Sequence, residues 1–183
     1  MATRSKIYIE ACPLIDVVKV KFRGTKAFNN LQEEEQKIRE NDVWFIQQIL
    51  RAGLEKDVEI FTSAISIAEC THVGDKPVQP KVKELFRAVL LSGQAMKLIE
   101  PDLFVCEDAR NLIWDHDIHL KGADAIHIAS ALSKDCEEFL TTDTRITDNA
   151  GIIKTITGLR IVRPSETILL PDSYRQQSAF VEA

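Results

Sequence analysis

Four acidic residues lie where strand-like segments give way to helix-like segments in an otherwise apolar chain. They are Glu10 in IYIEACPLI, Glu69 in TSAISIAEC, Asp124 in KGADAIHIASAL and Asp143 in FLTTDTRI. Open parallel α/β sheets bind their ligands outside the carboxyl ends of the strands. We therefore expect these carboxylates, which come from distant parts of the chain, to converge on one spot.

The alternation of strand-like and helix-like segments predicts a three-layer α/β/α domain with a mostly parallel central sheet. Strands are predicted over residues 6–11, 58–62, 96–99, 138–141 and 159–162. The longest predicted helix covers about 31–52, and Gly53 is expected to end it. A chain of 183 residues has room for one domain over 1–183, with a charged helical insertion at about 21–52.

The convergence of carboxylates has a chemical consequence. Carboxylates held together without a positive partner repel one another, and their pKa values rise. A hard divalent cation removes that repulsion, and Mg²⁺ in particular prefers a few carboxylates together with water and phosphate oxygens. The pattern therefore favours a metal-dependent phosphodiesterase. A phosphatase with an aspartyl nucleophile needs D-x-D after its first strand, and the E-x-C of Glu10 and Cys12 argues against it.

Each of the four carboxylates also has an ordinary structural explanation. Glu10 could be an edge-strand glutamate that faces solvent, and Glu69 could be a solvated residue of its helix. Asp124 could stabilise a helix N-terminus through the helix dipole, and Asp143 could cap a turn. All four together, in this order and in these contexts, are harder to explain as separate accidents.

Other polar residues are auxiliary candidates. His127 follows Asp124 by three positions, where it would contact the scissile phosphate, orient Asp124 or simply pack in the helix. Asp148 is near enough in sequence to Asp143 to be a spare ligand. One basic cluster follows the first helix, where it would contact phosphates or form a solvated face: Lys19, Lys21, Arg23 and Lys26.

Composition limits the setting of this chemistry. A net charge of −5 argues against a general polyanion-binding surface, but a metal centre would supply positive charge where a phosphate binds. No apolar run approaches the roughly 18 residues of a membrane span, and no signal-peptide core is visible. The four cysteines are scattered, which favours reduced thiols. We expect a cytoplasmic protein with no membrane segment.

Four segments resemble the PIN-domain family, and within it the toxin ribonucleases of the VapC kind. They are IYIEACPLI, TSAISIAEC, GADAIHIASAL and FLTTDTRI, and they span nearly the whole chain in the family's order. The resemblance implies a PIN fold, a Mg²⁺ or Mn²⁺ site and endoribonuclease activity. It also implies an acidic quartet and a hydroxyl residue beside the last acid: Glu10, Glu69, Asp124 and Asp143, with Thr141 or Thr142.

The resemblance implies roles and partners as well. Glu10, Asp124 and Asp143 would hold the metal, and Glu69 would hold a water or act as general base. Single-stranded RNA would be the substrate, a small antitoxin protein would cover the cleft, and a second copy of the chain is a further candidate partner. Glu10 stands where the family usually has Asp, and Cys12 where it has Asn, Ser or Thr. These departures support a second hypothesis, a catalytically weakened PIN domain that binds RNA or protein.

Overall fold

The structure is a computed structural model that describes residues 4–74, 76–116 and 118–176. Within these residues five strands form one sheet: β1 (Lys6–Ile9), β2 (Glu59–Ser63), β3 (Lys97–Ile99), β4 (Glu138–Leu140) and β5 (Arg160–Val162). The strand order is β3-β2-β1-β4-β5, which makes β1 the central strand. The predicted three-layer architecture is confirmed, and every strand pair is parallel.

Helices cover both faces of the sheet. They are α1 (Ala11–Arg23), α2 (Glu33–Leu54), α3 (Ile65–Glu69), α4 (Pro80–Leu91), α5 (Leu103–His116), α6 (Gly122–Leu132), α7 (Thr144–Thr147), α8 (Ala150–Thr157) and α9 (Asp172–Arg175). Because side chains alternate along a strand, Ile9 packs with α1, α2 and α4, while its neighbour Tyr8 packs with α5, α6 and α8. None of the helices in the described ranges is long and apolar enough to cross a membrane.

The first strand is shorter than its sequence indicates. β1 ends at Ile9, and α1 already begins at Ala11 with Pro13 in its first turn, where the missing proline N–H removes no helical hydrogen bond. Glu10 is therefore the N-cap residue of α1, although its side chain makes no capping hydrogen bond. The acid predicted at the handover from strand to helix lies at that handover.

The segment predicted as an insertion takes part in the main core. Helix α2 contributes buried apolar residues to it: Val43, Ile46, Ile49 and Ala52. The prediction that Gly53 ends this helix is wrong, because α2 continues to Leu54. A Cβ atom at Gly53 would lie 2.5 Å from both Ile60 Cδ1 and the Ala95 carbonyl oxygen. Gly53 is explained by this close approach of strand to helix and not by a helix C-cap.

The chain path opens a crevice at one edge of the sheet. After β1 the chain turns into α1 on one face, and after β4 it turns into α7 and α8 on the other face. β1 and β4 are neighbours, with Ile9 paired to Leu140. Adjacent parallel strands whose connections diverge in this way leave a crevice at their carboxyl ends, which is where ligands bind in open α/β sheets.

Candidate active site

Glu10 lies in this crevice as a buried carboxylate. The residue is 5% exposed, and its carboxylate accepts a hydrogen bond of 3.1 Å from Thr141 Oγ1. Burial raises the pKa of Glu10, against opposing effects from the His127 ring and from hydrogen bonds with Cys12 and Thr141. Among the described residues, no lysine or arginine forms an ion pair with Glu10. A bound cation would relieve the cost of burying this charge.

Glu69 is held by a buried chain of hydrogen bonds. Glu69 Oε2 lies 2.6 Å from His127 Nε2, and His127 Nδ1 lies 2.6 Å from the Tyr8 hydroxyl. The Tyr8 hydroxyl in turn accepts the backbone N–H of Ser63 at 2.8 Å. His127 and Tyr8 are both fully buried, whereas the Glu69 side chain is 34% exposed. The chain of bonds runs from the interior of the sheet to a carboxylate that reaches solvent.

The donors and acceptors of this chain assign the imidazole proton. An ionised Glu69 carboxylate can only accept, so His127 Nε2 carries a hydrogen and donates it. In the uncharged ring, Nδ1 is then the acceptor and Tyr8 is the donor, and burial raises the pKa of Tyr8 well above its usual value, so the phenol keeps its proton. While this bond persists, the Nε2 lone pair is not free to bind a metal. His127 therefore acts on Glu69 as an orienting donor.

The positions of Glu10, Glu69 and His127 make a compact donor group. One ligand atom from each lies within 4.8 Å of the others, and no other trio of this kind is found among the described residues. Carboxylate oxygens suit Mg²⁺ and Mn²⁺, and an imidazole nitrogen suits transition metals. Because His127 is bonded to Glu69, the two carboxylates are the members of this group whose chemistry suits a hard divalent cation.

Asp143 lies beside this group but is already paired. Its side chain is 15% exposed and receives Arg145 Nε at 3.1 Å as well as a second guanidinium hydrogen bond. It also accepts the backbone N–H of Arg145, so it caps α7. The Arg145 guanidinium lowers the pKa of Asp143. The Arg145 side chain is 49% exposed, so the cation that holds Asp143 can leave it for water.

Asp124 lies at the start of α6 and is 8% exposed. Its Oδ2 accepts the Lys121 backbone N–H at 3.3 Å, which is the N-terminal helix role that the sequence left open. Asp124 also contributes to raising the pKa of Arg145, as Asp143 does more strongly. Arg145 thus pairs with Asp143 and lies within electrostatic range of Asp124.

Thr141 connects the two halves of the site. Its hydroxyl donates to Glu10 and accepts the Asp143 backbone N–H at 3.0 Å. Burial raises the pKa of the Cys12 thiol, and the nearby charges of Glu10 and Asp143 raise it further. Cys12 is therefore a neutral side chain near both carboxylates. The Thr142 hydroxyl is buried and has no hydrogen-bond partner within the described part of the chain.

The remaining candidates lie outside this cluster. Asp148 is an exposed residue at the C-terminus of α7, where its backbone N–H bonds Thr144. His127 bonds Glu69 and Tyr8, and no hydrogen bond to Asp124 is present in the described ranges. The basic cluster lies at the far end of α1, roughly 15 Å along the helix from Glu10 at 1.5 Å per residue. Within it, Lys19 Nζ lies 5.0 Å from the centre of the Phe28 ring.

Two residues of the site were missed from the sequence. Tyr8 lies within the IYIE strand, and only the alternation of that strand hints that it faces the opposite side from Ile9. Arg145 stands two residues after Asp143 in TTDTRI, a spacing that allows a local ion pair. Neither spacing reveals which residues these side chains meet.

Comparison with known proteins assigns the fold to a family. The family model of the PIN domain matches residues 25–152, which is more than half of the chain. Glu69, Asp124 and Asp143 lie inside the matched range, and Glu10 precedes it. A search of curated proteins gave no match.

Proposed function

The chain belongs to the PIN domain family, and on this premise we propose that it is a metal-dependent endoribonuclease acting on single-stranded RNA. The PIN domain is a nuclease-type fold that generally depends on divalent metal ions. The observation that carries the proposal is the buried Glu10 carboxylate, which lies at the carboxyl edge of the sheet without a basic partner. Such a charge is costly in a finished structural core and useful in a cation site.

Glu10 is the metal ligand that the geometry supports most strongly. Glu69 would hold a metal-bound water or act as general base through its second carboxylate oxygen, because only Oε2 is bonded to His127. Asp124 and Asp143 complete the proposed acidic set, and Asp143 becomes available when Arg145 turns out to water. The cation would be Mg²⁺ or Mn²⁺. When bound, it supplies positive charge at the scissile phosphate and acidifies water there.

The protein side chains supply orientation and proton transfer. His127, locked between Tyr8 and Glu69, directs Glu69 towards the crevice, where the carboxylate would accept a proton from the attacking water. Arg145, once released from Asp143, would contact a non-bridging phosphate oxygen. Burial of Glu10 and His127 keeps bulk water away from the reacting bond and strengthens each of these interactions.

Single-stranded RNA is the proposed substrate because one backbone bond has to enter the crevice. Unstacked strands can be splayed to reach such a site, whereas an A-form helix presents its phosphates at fixed spacing. The exposed lysines of the basic cluster, Lys21 and Lys26, would hold flanking phosphates at a distance from the cut.

A cleavage assay tests the proposal. We expect cleavage of a labelled single-stranded RNA with Mg²⁺ or Mn²⁺ and none in EDTA. Glu10→Gln should lower the rate roughly 100-fold or more, because an amide brings no charge to the cation. Glu10→Asp should keep activity or change the preferred metal. Asp135→Asn, at a side chain that is 91% exposed and remote from the site, is the matched control and should cleave as wild type does.

Cleavage that persists undiminished in EDTA would exclude a metal mechanism. Equal rates for wild type and Glu10→Gln would remove Glu10 from the site. Loss of activity in Asp135→Asn to the same extent as in Glu10→Gln would show that the assay reports general damage to the protein.

A second candidate function is an RNA- or protein-binding module that does not cleave. The observation that favours it is the paired state of Asp143, whose two carboxylate oxygens both receive Arg145. The Glu10 and Cys12 departures from the family pattern point the same way. Metal-independent RNA binding without cleavage in the assay above would identify this function.

The toxin role is a finer proposal and rests on the resemblance to VapC-like ribonucleases. It implies a small antitoxin protein that covers the acidic crevice. A homodimer is proposed as well, supported by three large apolar side chains of α5 that are about 70% exposed: Leu103, Phe104 and Trp114. Sedimentation of the purified chain would measure its association state.

A further inference from the structure

A groove between α3 and α4 adjoins the candidate active site. It has a volume of about 210 Å³, with Phe86 and Leu90 among its walls and Ile67 and Leu91 at its rim. Glu69 lies in α3 between two residues that line the groove, Ile67 and Cys70. The Cys70 thiol contacts the Ala11 carbonyl at 3.9 Å, so the floor of the groove abuts the residue after Glu10.

The rim of the groove carries positive charge. Lys83 and Arg87 line it and are exposed, and they stand four positions apart on α4, on one side of the helix. Helix α4 has three basic residues, Lys81, Lys83 and Arg87, against one acidic residue, Glu84, in a chain whose net charge is −5. This local excess of positive charge is complementary to phosphates.

We infer that this groove binds one nucleotide of a single-stranded nucleic acid next to the cut. The base packs against the exposed Ile67 and Leu91 above the buried Phe86, and the flanking phosphates contact Lys83 and Arg87. The inference deepens the proposed function, on which it rests, by assigning a base subsite to it.

The size and chemistry of the groove select this occupant. Pockets for drug-sized ligands measure roughly 300 to 1,000 Å³, so 210 Å³ suits a single ring system. Exposed apolar side chains pack against the face of any base, and cations beside them track the backbone, as the stacking platforms and basic grooves of single-strand binding proteins do. A purely apolar partner surface would leave the two cations without counter-charges.

The experiment measures binding in EDTA, where metal-dependent cleavage is switched off. Fluorescence anisotropy of a labelled RNA oligonucleotide gives the affinity for wild type and for Ile67→Glu and Leu91→Glu. These rim residues are 43% and 53% exposed, so their substitution spares the core. Each should weaken binding about tenfold, which is within the range for loss of one stacked base. Leu54→Glu, at an apolar side chain that is 51% exposed at the end of α2, is the matched control and should bind as wild type.

An abasic oligonucleotide separates base insertion from phosphate contact. Wild type should bind an oligonucleotide whose bases are removed about tenfold more weakly than the intact one. For Ile67→Glu, the affinities for the intact and the abasic oligonucleotide should differ less than about twofold, because the substitution and the base removal abolish the same contact. The double variant Lys83→Ala/Arg87→Ala should reduce the slope of log affinity against log salt by about 1.4, at 0.7 for each phosphate contact. Lys154→Ala, an exposed lysine of α8, should leave the slope unchanged.

Three results would overturn the inference. The first is that wild type does not bind the oligonucleotide, and the second is that the rim variants bind it as wild type does. The third is that Leu91→Glu alters the association state of the protein and leaves RNA binding intact, which would identify a protein-docking groove. Each of these results is separate from the cleavage assay. If wild type cleaves RNA while the rim variants bind normally, only the proposed base subsite is excluded. If wild type binds RNA through the groove and does not cleave it, only the nuclease function is excluded.

Discussion

The two ends of the central sheet each bury a glutamate, and the two glutamates differ in their partners. Glu138 begins β4 and is fully buried, where it pairs with Arg160 from β5 and also bonds the Thr167 hydroxyl and the Ile168 backbone N–H. Glu10 follows β1 at the opposite edge, where it meets Thr141, Cys12 and the His127 ring, and no lysine or arginine of the described residues pairs with it. Arg160 neutralises the Glu138 carboxylate within the fold, whereas the Glu10 carboxylate is available to a cation bound from solution.

The same contrast extends to neighbouring carboxylates. Asp42 in α2 is 2% exposed, receives Arg163 and is bonded by the Ser165 hydroxyl at 2.7 Å. Together with Glu138 it fixes the segment that follows β5. Asp143, at the crevice, is held by a half-exposed arginine from the next helical turn. Glu138 and Asp42 are thus each paired with a partly buried arginine, whereas the arginine that holds Asp143 is half-exposed and no lysine or arginine of the described residues pairs with Glu10.

Removing the charge at the structural end should have the largest effect on folding. Glu138→Gln leaves the partly buried Arg160 guanidinium without a counter-charge, and the free energy of unfolding should fall by about 3 kcal/mol, the low end for a broken buried pair. Urea unfolding followed by circular dichroism measures it. Glu100→Gln, at an exposed carboxylate after β3, is the control and should change the free energy by less than about 0.5 kcal/mol. Equal stability of wild type and Glu138→Gln would contradict the structural role.

A pair of tyrosines sharpens the comparison. Tyr8→Phe keeps the ring stacked on Phe139 but removes the hydroxyl that joins Ser63 to His127, so stability should fall by roughly 1–3 kcal/mol. Cleavage should fall about tenfold with little change in KM, because Glu69 loses its orientation. Tyr174→Phe is the matched control: this hydroxyl lies between the Glu55 and Asp57 carboxylates and donates its one hydrogen to them, away from the crevice, and its loss should affect stability only.

The tautomer of His127 gives an independent readout for the same pair. Nitrogen NMR of the imidazole should show the proton on Nε2 in all three proteins, because Glu69 fixes that tautomer, and the Nδ1 resonance should shift in Tyr8→Phe alone, where it loses its hydrogen bond. Identical kinetics and identical imidazole spectra for Tyr8→Phe and wild type would show that the buried chain does not act on Glu69.

The sequence allowed the fold to be predicted because the fold rests on local patterns. Short apolar runs and helical spacing predicted the strands and the α/β architecture, and the family resemblance pointed to the PIN fold that the family match supports. The Gly53 prediction failed because glycine at a helix end and glycine under a close-packed strand look alike in sequence. Which acid meets which partner was also hidden, since Tyr8 and His127 are 119 positions apart and meet only through packing.

The placement of the four acids follows from the topology of the sheet. Whether each carboxylate is neutralised by a basic side chain does not follow from the topology. Strand order brings Glu10 and Asp143 together at the ends of β1 and β4. Whether a carboxylate is neutralised depends on individual side chains: Arg145 reaches Asp143, and no arginine or lysine of the described residues pairs with Glu10. The proposed ligand roles of Glu10, Asp124 and Asp143 therefore remain predictions that need a metal-binding experiment.

The central claim is that the Glu10 carboxylate, which pairs with no lysine or arginine of the described residues, forms a cation site. The pKa of Glu10 gives the direction in which stability should change with pH. The pKa of Glu10 is raised by burial from an ordinary value of 4.5, so the fold prefers the protonated form. Stability from this group is fully present below about pH 4.5 and is lost as pH rises through the raised pKa. Without metal, Glu10→Gln should therefore match wild type in acid and become the more stable protein towards neutral pH, by about 2–4 °C in Tm for each kcal/mol.

Thermal unfolding of wild type and Glu10→Gln at neutral pH, in EDTA and in excess Mn²⁺, tests this claim most directly. We predict that Glu10→Gln has the higher Tm in EDTA. At a Mn²⁺ concentration 100 times the dissociation constant, wild type should gain about 2.7 kcal/mol, or about 5–10 °C, and overtake the variant, which gains little. A variant that is less stable than wild type in EDTA, and that Mn²⁺ stabilises as much as it stabilises wild type, would contradict the account.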